Sequence, residues 1–280
     1  MKAITLFTII LTFFILVYIA YYLCRRVKKE VFRNLDEKSA VILKTHIWNE
    51  DLERFAIKIK NESTQNGLDF YLLMQCESEA NFNSIRDDEL KKHVLKFTEA
   101  EIKQMYSRGF YSMWLSNHWI MMWFYQTHNK YKYIWSIEYD VRISGDSSKL
   151  WRYRGTEDFL YPIVPFQDPN WAYKNHYVGG VLTDKTKYYG YLQLARYSDT
   201  FLNYLHEHFS KGENGQDEMM IFSLFKRGKF SGSHDLLSSA INNTWSVFAH
   251  DSEKHKKLLE ESDSEYNSNK NHFRIFHPVK

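Results

Sequence analysis

The N-terminus of the chain holds an uncharged apolar stretch that constrains everything after it. Residues 3–24 read AITLFTIILTFFILVYIAYYLC and contain no Asp, Glu, Lys or Arg. As a helix they would extend about 33 Å, enough to cross a hydrocarbon core of about 30 Å. A cleaved signal peptide has a shorter apolar run and small residues at its cleavage site. The stretch therefore predicts one uncleaved transmembrane anchor over residues 1–24, followed by a charged stem over 25–40.

The net charge of +3 is concentrated beside this anchor. Residues 1–33 hold six of the 37 basic residues but only one of the 34 acidic ones, which leaves 31 against 33 in the remaining chain. A nucleic-acid-binding domain carries an excess of basic residues on its binding face, whereas the remaining chain is nearly neutral. The sequence therefore predicts a membrane partner through residues 3–24 and no nucleic-acid partner.

The orientation of the anchor is predicted from two opposing signals. Lys and Arg follow the apolar stretch, and the positive-inside rule alone would place the rest of the chain in the cytosol. Two Asn-x-Ser/Thr sequons, at Asn61 and Asn242, would be glycosylation acceptors in a lumen. Because only two residues precede the stretch, the charge rule has little to compare. We therefore expect a glycoprotein of the Golgi or endoplasmic reticulum with its domain in the lumen.

Cysteine usage excludes two other ways of stabilising the domain. The chain has two cysteines, Cys24 and Cys76, and Cys24 ends the apolar stretch. A single remaining thiol excludes an intrachain disulfide framework and a zinc site built on cysteines.

Apolar strands alternate with amphipathic helices after the stem. Ala40–Leu43 and Leu68–Gln75 predict buried strands, and Trp48–Ile59 between them has apolar residues at helical spacing. Strand, helix and strand in this order are typical of a parallel sheet. Further predicted elements are the strand Tyr131–Val141, the helices Trp114–Gln126, Ser198–Phe209 and Asp217–Phe225, and a mobile loop or frayed helix over 250–272. We therefore expect an α/β domain over residues 41–280, with a mixed, mostly parallel sheet flanked by helices.

Two carboxylates lie at the end of the predicted central strand. Glu138 and Asp140 are two positions apart, so their side chains point to the same side of a strand. Ligands of open α/β sheets bind beyond the carboxyl ends of the strands. Converging carboxylates repel unless a cation lies between them, and oxygen ligands suit Mg²⁺ or Mn²⁺. The alternative is a structural pair bonded to nearby arginines: Arg142, Arg152 or Arg154.

A second acidic pair, Asp217 and Glu218, precedes an apolar helix. Acidic side chains in a first helical turn complement the helix dipole, and Asp217 could simply cap the helix. A carboxylate at the rim of a pocket could instead act as a general base toward an attacking hydroxyl. Both interpretations stay open from the sequence alone.

The last residues and several aromatic side chains add further candidates. The imidazole of His277 could complete a carboxylate metal site, and Lys280 could neutralise a diphosphate. Aromatic residues that could stack on a nucleobase or a sugar cluster between the acidic strand and Gly179-Gly180: Trp151, Tyr153, Trp171, Tyr173 and Tyr177. The alternative, which we favour for most of them, is that they are ordinary core residues.

Together these features resemble the single-pass, secretory-pathway glycosyltransferases of the GT-A fold, a nucleotide-diphospho-sugar transferase superfamily. WSIEYDVRISG at 135–145 resembles the acidic metal-binding strand end of that fold, with Glu-x-Asp in place of Asp-x-Asp. WFYQTH at 123–128, DPNW at 168–171, GQDE at 215–218 and HPVK at 277–280 are similar in spacing to a poorly characterised group of these enzymes. The resemblance covers roughly residues 40–280 and implies a GT-A-like domain.

The resemblance also implies roles for individual residues. Asp140 would bind the Mn²⁺ or Mg²⁺ that bridges the donor diphosphate, Glu138 would assist it or contact the ribose, and His277 would be a further ligand. Asp217 or Glu218 would orient or deprotonate the acceptor hydroxyl. Trp171 and Lys280 would contact the donor. A UDP-sugar is the expected donor, and a glycan, protein or lipid the expected acceptor.

Two other functions are compatible with the same residues. A metal-dependent phosphohydrolase could use the four carboxylates with two metal ions about 3.5–4 Å apart. A membrane-anchored binding module of the same fold could have lost catalysis, which the glutamate at position 138 keeps open. Donor binding without turnover would indicate the binding module and not an enzyme.

Overall fold

A computed structural model of the chain describes residues 38–241, 244–246, 249–268 and 273–280. The predicted anchor, most of the stem and the sequon at Asn242 lie outside the described residues. Within the described ranges, none of the helices has the length and apolar character needed to cross a membrane. Residues Ser39–Lys280 form one compact unit.

The described strands are β1 to β11 in chain order: Ser39–Thr45, Asp69–Gln75, Val94–Phe97, Tyr133–Glu138, Arg142–Gly145, Phe159–Leu160, Tyr177–Val178, Leu194–Ser198, Asn214–Gly215, Gly232–Ser233 and Phe273–Phe276. The described α-helices are α1 to α10: Glu50–Gln65, Ala80–Asn83, Asp88–Lys91, Glu99–Lys103, His118–Thr127, Ser148–Trp151, Asp199–Ser210, Asp217–Gly228, Asp235–Ser238 and Ser252–Ser268. Short 3₁₀ turns occur at Asp184–Thr186 and Ala249–Asp251.

Seven strands form the central sheet in the order β10-β6-β8-β4-β1-β2-β3. β1 is parallel to β2 and to β4, β2 is parallel to β3, and β10 is parallel to β6. β8 is antiparallel to both β4 and β6. The predicted mixed, mostly parallel α/β sheet is therefore confirmed, in a Rossmann-like arrangement. Because β1 and β4 are parallel neighbours, their carboxyl ends meet at one edge, where Lys44 pairs with Glu138.

Helices cover both faces of the sheet, as the alternation of strands and helices predicts. Along β1, Ile42 faces a core built with α5, α7 and α8, whereas Val41 and Leu43 face a core built with α1 and α3. Both sides of the strand are buried, which explains its continuous apolar run. α1 begins after Asn49, whose side chain accepts a hydrogen bond from the backbone of Leu52 at 2.8 Å.

A two-stranded antiparallel sheet joins the end of the central sheet to residues near the C-terminus. β5 follows β4 after a turn, and it pairs with β11 so that Arg142 lies opposite Phe276 and Gly145 opposite Phe273. Val279 donates a backbone hydrogen bond to the carbonyl of Asp140 at 2.8 Å. The segment 277–280 therefore packs beside the end of β4, as its apolar character predicts.

Two predicted elements differ from the observed ones. The strand predicted over Tyr131–Val141 divides into β4 and β5, with a turn at residues 139–140. The helix predicted from Trp114 begins at His118, after a hydrogen-bonded turn. The polar segment, predicted as a mobile loop or a frayed helix, contains the helix α10 over residues 252–268, which packs on β5 and β11. Packing on the small sheet stabilises this polar helix.

Candidate functional site

A cavity of about 790 Å³ opens at the carboxyl ends of β1 and β4. Its walls include all seven site residues suggested by the sequence: Glu138, Asp140, Trp171, Asp217, Glu218, His277 and Lys280. They come from the end of β4, a long loop, the start of α8 and the segment after β11. The fold thus brings together residues from distant parts of the sequence, at the edge where open α/β sheets bind ligands.

Glu138, Asp140 and His277 form a compact group of metal-ligating side chains. One ligand atom of each lies within 4.8 Å of the ligand atoms of the other two. Asp140 and His277 are buried, and Glu138 is half-buried. Two carboxylates and an imidazole are a donor set that Mn²⁺ accepts readily. Although residue 140 lies in a turn and not in the strand, it still converges with Glu138.

Two acceptor atoms face each other inside this group. Nδ1 of His277 lies 2.6 Å from the carbonyl oxygen of Ser246, which can only accept, so Nδ1 carries the proton. In the neutral ring Nε2 then has a lone pair, and it lies 3.5 Å from Oδ1 of Asp140. Oδ1 is buried, and none of the described residues donates a hydrogen bond to it. A cation between the two atoms would satisfy both, so these residues fit a divalent metal ion.

Glu138 is held by two residues that the sequence analysis missed. The side-chain amide of Asn117 donates to Oε1 of Glu138 at 2.6 Å. Lys44 donates to the other end of that amide at 3.0 Å, and its ammonium lies 3.6 Å from Oε1. Lys44 is only 6% exposed, so its charge acts at short range in a weakly screened site. Its place at the end of a buried strand was the signal that could have identified it.

The two acidic residues of the metal group titrate in opposite directions. Burial raises the pKa of Glu138 above its ordinary value, and the opposing charge of Lys44 does not cancel that effect. Burial also acts to raise the pKa of Asp140, but the neighbouring His277 and Lys280 outweigh it and lower that pKa. Asp140 is therefore the member of the pair that carries a charge most readily.

The arginines proposed as structural partners of this pair bond elsewhere. Arg142 donates to the carbonyls of Tyr139 and Val141 at 2.7 and 2.8 Å. Arg152 pairs with Asp146 at 3.2 Å, and Arg154 donates to the carbonyl of Trp151 at 2.9 Å. Lys44 and Lys280 are the cations within 4 Å of the two carboxylates among the described residues. The interpretation as an arginine-bonded structural pair is therefore wrong.

Asp217 and Glu218 lie buried at the start of α8. Oδ1 of Asp217 accepts from the side-chain amide of Gln216 at 2.9 Å and from the backbone of Glu218 at 2.7 Å. The two carboxylate oxygens of Glu218 accept from the amides of Gln193 and Gln216, each at 3.2 Å. Gln216, whose side chain accepts from Met219, caps the helix. The suggestion that Asp217 caps it is therefore wrong.

Both carboxyl groups of this second pair are held toward their protonated forms. Burial, and after it the charge of Glu138, raises the pKa of Asp217 to about 7. Burial and the charge of Asp217 raise the pKa of Glu218 well above its ordinary value. A carboxyl group with a pKa near 7 can accept a proton at physiological pH more effectively than an ordinary aspartate.

The five clustered aromatic residues divide between the cavity and the core. Trp171 and Tyr173 line the cavity. Trp151 is buried against Trp135, with ring centres 5.5 Å apart, and Tyr153 packs over Arg196. The hydroxyl of Tyr177 bonds to Glu213 at 2.5 Å. Two of the five therefore line the cavity and three pack elsewhere, as the interpretation of most of them as core residues predicts, and Trp114, which the sequence analysis did not select, also lines the cavity.

Comparison with known proteins gives structural similarity only. No protein-family model matches the chain, and no curated protein matches it. The galactosyltransferase LgtC, solved with donor and acceptor sugar analogues, is 13% identical with a TM-score of 0.39, and the match covers 66% of this chain and 70% of that chain.

Two further solved structures give similar values. A Drosophila galactosyltransferase 7 mutant in complex with manganese, UDP-Gal and xylobiose is 12% identical with a TM-score of 0.36, over 70% of this chain and 64% of that chain. The inositol-1-phosphate CTP transferase from T. maritima is 10% identical with a TM-score of 0.41, over 71% of this chain and 84% of that chain. Because these TM-scores lie below 0.5, the function has to be argued from the cavity itself.

Proposed function

We propose that this protein is a metal-dependent glycosyltransferase of the GT-A type, which transfers a sugar from a nucleotide-diphosphate sugar to an acceptor hydroxyl. The observation that supports this most directly is the convergence of Glu138, Asp140 and His277 within 4.8 Å on the wall of a cavity that also contains Asp217 and Glu218. The group of Glu138, Asp140 and His277 suits a cation, and the pair Asp217 and Glu218 suits proton transfer.

Asp140 and His277 are the principal metal ligands in this proposal, and Glu138 is the third. The carbonyl of Ser246 fixes the tautomer of His277, so that its free nitrogen points to Asp140. A bound Mn²⁺ or Mg²⁺ supplies a Lewis acid for the charge that develops on the leaving nucleoside diphosphate. Lys280, whose ammonium lies 3.9 Å from Oδ2 of Asp140, contributes a second positive charge at the same place.

Asp217 acts as the general base in this proposal. It accepts the proton of the acceptor hydroxyl while that oxygen attacks the anomeric carbon of the donor sugar. The bond from that carbon to the diphosphate oxygen breaks, and the diphosphate leaves with the bonding electron pair. Glu218, whose pKa burial and the charge of Asp217 raise well above its ordinary value, is held toward its protonated form beside it.

The experiment measures metal binding and transfer separately. Mn²⁺ titration by calorimetry is followed by an assay for UDP release from a set of UDP-sugars, with and without Mn²⁺. We expect Asp140→Ala and His277→Ala to lose both Mn²⁺ binding and UDP release. Asp184→Ala, at an exposed acidic position outside the cavity, is the matched control.

The outcomes also distinguish the alternatives. Equal UDP release by the wild-type protein and Asp140→Ala would exclude the proposal. Two Mn²⁺ ions per chain with release of inorganic phosphate would indicate a phosphohydrolase. UDP-sugar binding without any release would indicate a binding module that has lost catalysis.

We further propose that residues 3–24 anchor the protein in the Golgi or endoplasmic reticulum membrane with residues 25–280 in the lumen. The apolar stretch and the sequon at Asn61 support this proposal. Asn61 lies exposed on α1, where an oligosaccharide transferase could reach it. A mobility shift that endoglycosidase H reverses and that Asn61→Gln and Asn242→Gln together remove is the expected result. Protease digestion of the domain in intact vesicles would contradict a luminal domain.

A further inference from the structure

Trp114 is the most exposed large apolar side chain of the described residues, and it lines the mouth of the cavity. It is 69% exposed, compared with 58% for Val164, 38% for Tyr111 and 37% for Ile47. Exposure of an indole costs free energy that burial would recover, about 25 cal/mol for each Å² of apolar surface. An exposed tryptophan at the rim of a cavity therefore indicates a surface that a ligand covers.

The turn that carries Trp114 is held in place by hydrogen bonds. The backbone of Ser116 donates to the carbonyl of Ser112 at 2.8 Å, and the backbone of Leu115 donates to the hydroxyl of Ser112 at 3.2 Å. The indole of Trp114 also meets the ring of Tyr173 edge to face, with ring centres 5.3 Å apart. The side chain is thus a preformed platform, which binds a ligand at a lower entropic cost than a mobile one.

The same turn is bonded directly to the acidic pair. The carbonyl of Leu115, the next residue, accepts a hydrogen bond from the backbone of Asp217 at 2.9 Å. A molecule that covers the indole therefore lies along the wall that leads to the Asp217 and Glu218 carboxyl groups. This is the side of the cavity where the acceptor hydroxyl has to be.

We propose that Trp114, supported by Tyr173, is the acceptor platform of this enzyme and that the acceptor is a pyranose ring of a glycan. This inference rests on the proposed function. A pyranose has an apolar C–H face, which stacks on an aromatic ring, and a rim of hydroxyl groups. The adjoining wall offers matching partners in the amides and carboxyl groups of Gln193, Gln216, Asp217 and Glu218.

The structure favours a sugar over the other two expected acceptor classes. The hydrocarbon chain of a lipid acceptor has no group that could bond the amides and carboxyl groups which line the same cavity as Trp114. An extended peptide acceptor would pair with a free sheet edge, but β1 and β4 at the cavity are paired on both sides. An aromatic face and polar groups in one cavity match the C–H face and the hydroxyl groups of a carbohydrate.

Saturation-transfer NMR on the protein without donor tests this inference independently of turnover. The probes are methyl glycosides of galactose, glucose, N-acetylglucosamine and xylose, with dihexanoyl phosphatidylcholine and a Ser/Thr-rich peptide for comparison. We expect at least one glycoside to show saturation transfer at its ring C–H protons. Trp114→Ala should weaken that glycoside about tenfold and Trp114→Phe about threefold, because phenylalanine keeps an aromatic face. Val164→Ala, at an exposed position outside the cavity, should bind like the wild type.

The results separate failure of this inference from failure of the proposed function. Unchanged glycoside binding in Trp114→Ala, or binding only of the lipid or the peptide, would overturn the assignment of Trp114 as the acceptor platform. In parallel, UDP release with Mn²⁺ but without acceptor tests the transferase proposal. If no UDP is released, the transferase proposal fails, but the glycoside binding measured by NMR is unaffected. A rise in the KM for the UDP-sugar in Trp114→Ala, with no change for the acceptor, would assign the indole to the donor and also overturn the inference.

Discussion

Nε2 of His277 and Oδ1 of Asp140 face each other at 3.5 Å, while Nδ1 of the same imidazole donates to the carbonyl of Ser246. Two lone pairs at this distance in a buried site repel, and the arrangement is stable only with a proton or a metal ion between them. The relation determines what substitutions should do.

Replacing Asp140 by asparagine should abolish metal binding and also destabilise the metal-free protein. The neutral amide loses the attraction to His277 and Lys280 that lowers the pKa of Asp140, so we expect a loss of about 1 kcal/mol in unfolding free energy without metal. Thermal melts in EDTA and in Mn²⁺ check both effects, since a ligand that binds only the folded state raises its Tm. Asp146→Asn, which lies outside the cavity, should keep the Mn²⁺ response. An Mn²⁺-dependent rise in the Tm of Asp140→Asn would contradict the assignment.

Removal of the positive charge at position 44 should destabilise the protein. Lys44→Met leaves Glu138 in a buried site without its cation, and losing one partner of such a pair costs about 3 kcal/mol. Urea denaturation measures this change. The double variant Lys44→Met/Glu138→Gln should recover most of the loss, because no uncompensated charge remains. Lys92→Met, which breaks an exposed pair with Glu89, should change stability by less than about 1 kcal/mol. Equal losses in Lys44→Met and Lys92→Met would disprove the prediction.

The rate of sugar transfer should rise with pH through about 7, because a base must be deprotonated and burial raises the pKa of Asp217 to about 7. Asp217→Asn should lower the rate by about 10²-fold or more and remove that rise. Initial rates between pH 5.5 and 8.5 at saturating Mn²⁺ measure both. Asp199→Asn, in the first turn of α7, is the control because it lies outside the cavity. A pH profile of Asp217→Asn that still rises through 7 would assign the base to another group.

The same pKa has an opposite consequence for stability. Between about pH 4 and 7 the folded protein binds a proton at Asp217 that the unfolded chain releases, so this group contributes less stability as pH rises. Asp217→Asn should therefore be more stable than the wild type at pH 8, and the difference should decrease as pH falls toward 4. Chemical denaturation at four pH values gives the difference directly.

His118 should make the fold sensitive to acid. Burial, followed by the charge of Lys44, lowers its pKa to about 3, and neither ring nitrogen has a hydrogen-bond partner among the described residues. Below about pH 6.5 the unfolded chain binds a proton at His118 that the folded chain does not bind. The free energy of unfolding therefore falls by about 1.4 kcal/mol for each unit by which the pH decreases.

His118→Phe tests this prediction, because phenylalanine can pack against Phe209 as the imidazole does. At pH 5 the variant should be more stable than the wild type by about 2 kcal/mol, and at pH 7.5 the two should be nearly equal. His250→Gln, at an exposed histidine, should follow the wild type at both pH values. If His118→Phe loses as much stability at low pH as the wild type, other groups cause the acid sensitivity.

Local patterns predicted the strands and helices because burial on two faces leaves a continuous apolar run in β1 and a 3.6-residue period in α1. The acidic residues at 138, 140, 217 and 218 stood out because charge is rare beside such runs. Lys44 and Asn117 did not stand out, because their role depends on a contact across 73 positions of the chain, which no local pattern encodes. The split of the predicted strand at Tyr139 has a similar origin: β5 turns away to pair with β11, far along the sequence.

The pairing of β5 with β11 has a further consequence for the cavity. Side chains alternate between the two faces of a strand, so sliding β11 by a single position would exchange every inward side chain for an outward one. Phe276 or Pro278 would then stand where His277 stands. Which atom meets Asp140 is thus decided by the backbone alignment of four residue pairs, from Phe273 opposite Gly145 to Phe276 opposite Arg142. An insertion or deletion of one residue in either strand would disrupt the group of Glu138, Asp140 and His277 without replacing any of these three side chains.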